Sequence, residues 1–229
     1  MVPKRVLRQV PTLRYGYLLL CLFAAATGLV GQTNPYVIPV GSNPSALGVN
    51  PATNQIYVVN SGGGTVTVID GGNLAAPTTR VIVGTIPSDA VVNPVTNKIY
   101  VSNSGSGTVS VIDGANPTAT PVTVNVGTSP VAGAVNRVTN TYYVANEASN
   151  SVSVINGATN TVTNTITVGT NPHVIALNPV TNKIYVANSV SISVIDGANP
   201  AAPPVTVPAG TNPTAIAVNP VTEIGRAHV

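Results

Sequence analysis

The nine residues NPVTNKIYV, from Asn93 to Val101, occur a second time without change from Asn178 to Val186. Degenerate copies begin at Asn50 (NPATNQIYV) and Asn136 (NRVTNTYYV), and a last copy begins at Asn219 and breaks off. The five starts lie 43, 43, 42 and 41 residues apart. A period in the low forties, with β-type alternation and no helical periodicity, is typical of the blades of a β-propeller.

Each repeat contains four short runs of β-forming residues. In the second repeat these runs are Ala90 to Val92, Lys98 to Asn103, Thr108 to Ile112 and Pro121 to Val126. Turn residues separate them: Asn97 tolerates a left-handed conformation, and the Asp113 carboxylate suits local hydrogen bonding in an Asp-Gly turn. The sequence therefore predicts an all-β fold with about four complete four-stranded antiparallel blades between residues 44 and 207.

The first 31 residues differ from the repeats. Four cations and no acid occur between Met1 and Arg14, and Tyr17 to Val30 is almost entirely apolar. A basic segment followed by a short apolar run is typical of a secretory signal, and this run is shorter than the roughly 20 residues of a membrane span. We predict a signal peptide over residues 1–31, with an uncleaved anchor as the alternative. The only cysteine, Cys21, would leave with the signal.

Residues 223–229 depart from the repeat at the other end of the chain. After Thr222 the pattern calls for Asn-Lys-Ile-Tyr, whereas the chain reads EIGRAHV. This heptapeptide can be encoded by the common short-read sequencing adapter. We therefore predict repeats over residues 32–222, a non-native tail over residues 223–229, and further blades missing from a truncated gene.

Charge is sparse and balanced within the repeats. Between residues 32 and 222 the cations are Arg80, Lys98, Arg137 and Lys183, and the acids are Asp70, Asp89, Asp113, Glu147 and Asp196. A surface that binds a phosphate backbone needs a cluster of Lys and Arg, and none is present. The composition therefore argues against nucleic acid as a partner.

Two longer stretches carry a resemblance to a known family. VTNKIYVSNSGSGTVSVIDG, from Val95 to Gly114, and GTNPHVIALNPVTNKIYVANS, from Gly169 to Ser189, resemble repeats of the YVTN family of β-propeller proteins. The likeness extends over about residues 35 to 222. Members are typically exported or surface-associated, and most have about seven blades. The resemblance implies a secreted, periplasmic or cell-surface protein of the bacterial envelope with a binding or scaffold role, and it transfers no catalytic motif.

Three ionisable residues interrupt the pattern shared by the repeats. Asp89 occupies a position that is Ala or Val elsewhere, Glu147 a Ser position, and His173 a position of Ser, Val or Thr. Propeller topology places all three on one face, in successive blades. Two carboxylates and an imidazole could bind a metal or act as acid and base, but blades about 10 Å apart are too far for shared ligands. We treat them as a candidate binding face, favour variation on a solvated rim, and predict no catalytic residue, metal or cofactor.

Two classes of function remain. The first is an exported, non-catalytic propeller that binds a protein, a glycan or an envelope component, with no membrane span in the mature chain. The second is a propeller enzyme, lactonase-like or quinoprotein dehydrogenase-like, whose site lies in the missing blades. Small residues form one column of the innermost strands (Gly48, Val91, Ala134, Ala176 and Ala217), which favours close packing over chemistry. The sequence therefore predicts that the protein is not an enzyme.

Overall fold

The structure is a computed structural model that describes residues 37–219 and, as backbone alone, residues 17–18 and 225–228. The strands are β1 Tyr17–Leu18, β2 Ile38–Pro39, β3 Pro44–Asn50, β4 Gln55–Asn60, β5 Thr65–Asp70, β6 Thr79–Ile82, β7 Pro87–Asn93, β8 Lys98–Asn103, β9 Thr108–Asp113, β10 Val122–Asn125, β11 Pro130–Asn136, β12 Thr141–Asn146, β13 Ser151–Asn156, β14 Thr161–Thr167, β15 Val174–Asn178, β16 Lys183–Ala187, β17 Ser191–Asp196, β18 Val205–Pro208, β19 Ala215–Val218 and β20 Gly225–His228. These described residues contain no helix.

Four antiparallel sheets of four strands follow one another along the chain. We name them blade 1 (β3–β6), blade 2 (β7–β10), blade 3 (β11–β14) and blade 4 (β15–β18). Two smaller sheets pair β1 with β2 and β19 with β20. The first strands of successive blades pack against each other, β3 on β7, β7 on β11, β11 on β15 and β15 on β19. The predicted all-β arrangement of four propeller blades is confirmed.

The first strand of blade 2 is longer than the sequence predicted. In blade 2 it begins at Pro87, because the ladder passes a register shift between Pro87 and Asp89 and then continues to Asn93. Blades 1 and 3 show the same shift after Pro44 and Pro130. A β-bulge admits a proline and a polar residue that otherwise indicate a turn, so composition alone placed the start of the strand too late.

The turns have the predicted chemistry. Asn97 is left-handed, with φ 52, and the corresponding residues of the other blades are also asparagines at φ 51 to 56. In the Asp-Gly turn, the Asp113 carboxylate accepts a hydrogen bond from the Ala115 amide at 2.9 Å. Asp70, Asn156 and Asp196 accept the same bond two residues on. These side chains are thereby explained as turn-forming groups.

Apolar packing lies mainly between blades. Residues of the second to fourth strands of one blade face the first three strands of the next, as Tyr57 and Val81 of blade 1 do against Val92 and Ile99 of blade 2. Two further clusters join blade 2 to blade 3 and blade 3 to blade 4 in the same way. Each blade is therefore stabilised by burial against its neighbours.

Buried asparagines add a polar ladder between blades. Asn50 Nδ2 donates to Asn97 Oδ1 of the next blade at 2.7 Å, and Asn93 Nδ2 donates to Asn140 Oδ1 at 3.0 Å. Asn136 repeats the contact with the next blade, where Asn182 is the acceptor. The donor of each pair is the first asparagine of the repeated NPVTN motif, and the acceptor is the last asparagine of the next copy. This pairing explains why the motif holds an asparagine at each end.

The two ends of this array of blades are incompletely covered. Val207 of β18 occupies the register position of Val124 and Ile166, yet it is 46% exposed where those residues are 5% and 6% exposed. At the other end Leu47 and Val49 of β3 are 41% and 56% exposed. The apolar faces that each inner blade buries against its neighbours are thus partly open on blades 1 and 4.

Within the described part of the chain, no helix has the length and apolar character needed to cross a membrane. The predicted signal segment, residues 1–31, lies outside the described residues except for Tyr17–Leu18. Of the predicted tail, residues 225–228 form β20.

Candidate functional site

One end of the blades is built from two loops per repeat that are bonded to each other. Ser104 N, in the loop from the second to the third strand, donates to the carbonyl of Ile86, just before the first strand, at 3.0 Å. The corresponding bond in blade 3 runs from Glu147 N to Ser129 O at 2.9 Å. We call this side the loop face, formed by residues 41–44, 61–64, 84–87, 104–107, 127–130, 147–150, 169–172 and 188–190. The entry to the first strand and the loop between the second and third strands therefore lie on one face, as propeller topology predicted for the candidate residues.

Glu147 presents a carboxylate on the loop face. Its backbone is fixed by the bond to Ser129, and its side chain is half-buried. Among the described residues, that carboxylate has no hydrogen-bond or ion-pair partner. It is therefore available to a ligand that carries a cation or a hydrogen-bond donor.

Asp89 lies between blades and is half-buried. Its Oδ1 accepts from the Ala90 amide, and its Oδ2 accepts from the Gly133 amide of blade 3 at 2.9 Å. Burial raises the pKa of the Asp89 carboxyl above its ordinary value, although both amides stabilise the charged form. The structure therefore gives Asp89 a bridging position in place of the solvated rim that the sequence favoured.

A buried tyrosine accompanies this carboxylate. Tyr142 Oη lies 3.1 Å from Ser102 Oγ, and its ring stacks on Tyr100 of blade 2 with centroids 4.5 Å apart. Burial raises the pKa of the Tyr142 hydroxyl, and the nearby charge of Asp89 raises it further. The tip of Tyr142 occupies the space over Gly133, where an added Cβ would overlap it. Tyr142, Tyr100 and Ser102 are fully buried, so these contacts hold blade 2 against blade 3.

His173 also links two repeats. Its Nε2 lies 2.6 Å from the carbonyl oxygen of Pro213, and its Nδ1 lies 2.7 Å from that of Asn171. A ring nitrogen must carry a proton to donate to a carbonyl, so only the doubly protonated ring donates to both oxygens. Ser45 and Ser88 make the corresponding contact to the next proline carbonyl in blades 1 and 2. His173 therefore continues a structural series with a larger side chain.

The three predicted residues share a side of the molecule but do not converge. Asp89 contacts Gly133 of β11 and His173 contacts Pro213, which precedes β19. Glu147 contacts neither of these residues. In the part of the chain that the structure describes, no group of three His, Cys, Asp or Glu side chains is placed to hold a metal ion. The residues remain a candidate binding face, with Glu147 as the member whose side chain is unengaged.

Ile86 is a further feature of the loop face. Its φ is +48, a left-handed conformation that β-branched residues avoid, and its side chain is 58% exposed. The corresponding residues are Asn43, Ser129, Asn171 and Asn212, types that tolerate this conformation better. Ile86 therefore combines backbone strain with an exposed apolar side chain, a combination that suggests a functional contact.

The sequence contained signals for two of these features that pattern reading missed. Tyr142 stands where the other blades have Ile56, Ile99 and Ile184, and Gly133 stands where they have larger residues. A large residue next to a small one in a single repeat indicates compensating packing. Ile86 likewise stands alone among polar residues in its column, and only the φ value shows why that matters.

The fold resembles solved β-propeller structures. The hydrazine synthase of Kuenenia stuttgartiensis aligns with a TM-score of 0.68 and 22% identity, over 84% of this chain and 56% of that one. A streptogramin B lyase aligns at 0.63 with 13% identity, over 77% and 59%. Apo AztD from Citrobacter koseri aligns at 0.55 with 15% identity, over 75% and 49%. The chain thus spans between 49% and 59% of the length of these proteins.

No protein-family description matches the chain, and no curated protein does. The likeness to solved structures therefore shows the fold alone. It does correct one prediction. Two of the three structures named above are a synthase and a lyase, so a propeller without a recognised catalytic motif can be an enzyme. The prediction that this protein is not an enzyme is therefore wrong.

Proposed function

We propose that the chain is an exported β-propeller of the YVTN type that binds a protein or glycan ligand of the cell envelope through its loop face. The observation that carries the proposal is Ile86, which is both strained and 58% exposed on that face. Strain of this kind is retained where a side chain has to be presented in a fixed direction. The unengaged carboxylate of Glu147 supplies a polar contact in the next blade.

Export is part of the same proposal and rests on residues 1–31. Their basic and apolar segments have the order and length of a secretory signal. Expression of the full chain in a secreting bacterial host, followed by N-terminal sequencing of the mature protein, tests it. A mature N-terminus near residue 32 supports export through a cleaved signal. Retention of Met1 on exported protein indicates the uncleaved anchor, and retention of Met1 on protein that stays in the cytoplasm contradicts export.

Binding can be tested with two defined probe sets, a glycan array and a random-peptide display library. A ligand found by either set should bind the double variant Ile86→Asn, Glu147→Gln about tenfold more weakly than the unchanged protein. Val95 and Val138 lie in turns at the opposite ends of the strands and are 72% and 78% exposed. The control variant Val95→Asn, Val138→Asn should bind normally. No ligand in either set, or an equal loss in the control, contradicts the proposal.

A catalytic role is the second candidate, favoured by the synthase and lyase among the similar structures. Both enzymes are longer than the region this chain covers. The site of a lactonase-like or quinoprotein dehydrogenase-like activity would then lie in blades outside the four described here. Hydrolysis of a lactone panel or dye-linked oxidation of alcohols by a protein with those blades would support this role, and inactivity on both would oppose it.

A further inference from the structure

Blade 3 differs from the other blades in the turn that follows its third strand. The chain there reads Asn156-Gly157, the only Asn-Gly pair in the sequence, whereas the other three blades have Asp-Gly. Asn156 is exposed, and strand β14 begins at Thr161, four residues after Gly157. Glycine has no Cβ to hinder the approach of its backbone nitrogen to the preceding side chain. The amide carbon of Asn156 is therefore sterically open to attack by Gly157 N.

The hydrogen bonds of this turn stabilise the charges that such an attack creates. Asn156 Oδ1 accepts from the Ala158 amide at 2.8 Å and from the Thr159 amide at 3.3 Å. Negative charge develops on this oxygen when Cγ is attacked, so the two amides act as oxyanion donors. Loss of the proton from Gly157 N places charge on the Asn156 backbone oxygen, which accepts from the Asn160 amide at 2.8 Å. The turn thus supports both the attacking and the attacked group.

One contact opposes the reaction. Gly157 N donates to the Asn140 carbonyl at 2.8 Å, and the nitrogen is free to attack only after this bond opens. Opening an exposed turn costs much less free energy than unfolding the whole protein. The bonds from Ala158 and Thr159 to Asn156 Oδ1 are internal to the turn and do not depend on Asn140. The reaction therefore requires local opening and leaves the blades folded.

We propose that Asn156 is a site of spontaneous deamidation. Gly157 N gives its proton to solvent and bonds to Asn156 Cγ. The Cγ–Nδ2 bond breaks, and Nδ2 takes a proton from solvent and leaves as ammonia, which yields a succinimide. Water then opens the ring. Cleavage between the nitrogen and Cγ leaves an aspartyl residue, and cleavage between the nitrogen and the backbone carbonyl carbon leaves an isoaspartyl residue.

The two products differ in their effect on the fold. An aspartyl product restores the residue of the other three blades, where the carboxylate accepts the same hydrogen bond two residues on. An isoaspartyl product adds a methylene to the main chain and displaces Gly157. Lys98 Nζ of blade 2 donates to Gly157 O at 2.6 Å and to Asn160 Oδ1 at 3.1 Å. The isoaspartyl product therefore weakens the contact of blade 2 with this turn of blade 3.

Incubation of the purified full-length chain at mildly alkaline pH, followed by peptide mass spectrometry, tests the proposal. The internal comparison is Asn73, which is also exposed and whose Oδ1 accepts the amide two residues on, but which precedes Leu74. Asn156 should deamidate about tenfold or more faster than Asn73. Asn116 precedes Pro117, which has no N–H, and should stay unchanged. Raising the pH should speed the reaction at Asn156, because the attacking nitrogen has to lose its proton.

The matched variant is Asn156→Asp, which has no amide to lose. It should release no ammonia from this turn and should melt at the temperature of the freshly prepared unchanged protein. The isoaspartyl fraction of the aged protein, identified by enzymatic methylation, should melt at a lower temperature. Deamidation of Asn156 no faster than that of Asn73, or only in urea-unfolded protein, would overturn the proposal. An isoaspartyl fraction that melts with the unchanged protein would overturn the weakened contact with blade 2.

Discussion

Ile86 adopts a backbone conformation that its side chain disfavours. At φ +48 a branched Cβ crowds the adjacent carbonyl. Three of the four corresponding residues are Asn, which tolerates this conformation, and the fourth, Ser129, is not branched at Cβ. We predict that Ile86→Asn raises the free energy of unfolding by about 1 kcal/mol, measured by urea denaturation. The reverse change in another blade, Asn171→Ile, should lower it by a similar amount. An unchanged or reduced stability in Ile86→Asn would mean that the isoleucine packing outweighs the strain.

Asp89 should make stability depend on pH. Burial raises its pKa in the folded state, so the folded protein binds this proton more tightly than the unfolded chain does. The contribution of Asp89 to stability therefore falls as pH rises from the ordinary Asp pKa through the folded value. Asp89→Asn cannot ionise, so its melting temperature relative to the unchanged protein should increase between pH 3 and pH 7. The variant also loses one of the two carboxylate oxygens that accept amide hydrogen bonds, which lowers its melting temperature by an amount that does not vary with pH.

The control for Asp89 is Asp196, whose pKa is shifted in the opposite direction. The amide of Ala198 and the Lys183 side chain lower the pKa of the Asp196 carboxyl. That group stabilises the fold above the ordinary Asp pKa and loses its effect as pH falls through the folded value. Relative to the unchanged protein, Asp196→Asn should therefore become less stable as pH rises over the same range. Parallel pH trends in the two variants would contradict the assignment of Asp89 as the buried carboxylate.

The junction of strands β11 and β12 with blade 2 depends on a matched pair. Gly133→Ala should cost about 2 kcal/mol because the new methyl overlaps Tyr142. Tyr142→Ile should cost a similar amount by leaving a cavity. The double variant recreates the Ala90 and Ile99 combination of blade 2. Its loss of unfolding free energy should be smaller than the sum of the two single losses by about 1 kcal/mol or more. Additive losses in denaturation would show that the two residues are not coupled.

Most strands could be predicted because they are repeated. NPVTNKIYV or a degenerate copy of it marks the second strand in every blade, and β8 has the predicted bounds Lys98–Asn103. The first strand of blade 2 was predicted too short because a bulge lets Pro87 join the ladder. The site was less accessible to sequence reasoning. Asp89 and His173 bridge neighbouring repeats through partners that lie 44 and 40 residues away in the sequence. The sequence of a single repeat does not reveal such contacts.

Among the described blades, packing should stabilise blade 4 less than the inner blades. Val124 is 5% exposed because blade 3 covers it, whereas Val207 is 46% exposed at the corresponding position. Val124→Ala should cost about 2 kcal/mol, and Val207→Ala less than half of that. Urea denaturation of both variants makes the comparison. Equal losses would show that the forward face of blade 4 is covered in solution.

The asparagine ladder also affects how the gene can gain or lose repeats. Asn50, Asn93 and Asn136 each contact the next repeat through the same pair of positions. A blade thus recognises its neighbour through residues that every copy carries. Unequal recombination could add or remove a unit of 43 codons between Asn50 and Asn93 without creating an unfamiliar junction. Tyr142 and Gly133 limit that freedom, since a crossover that separates them would pair a tyrosine with a residue too large to accommodate it.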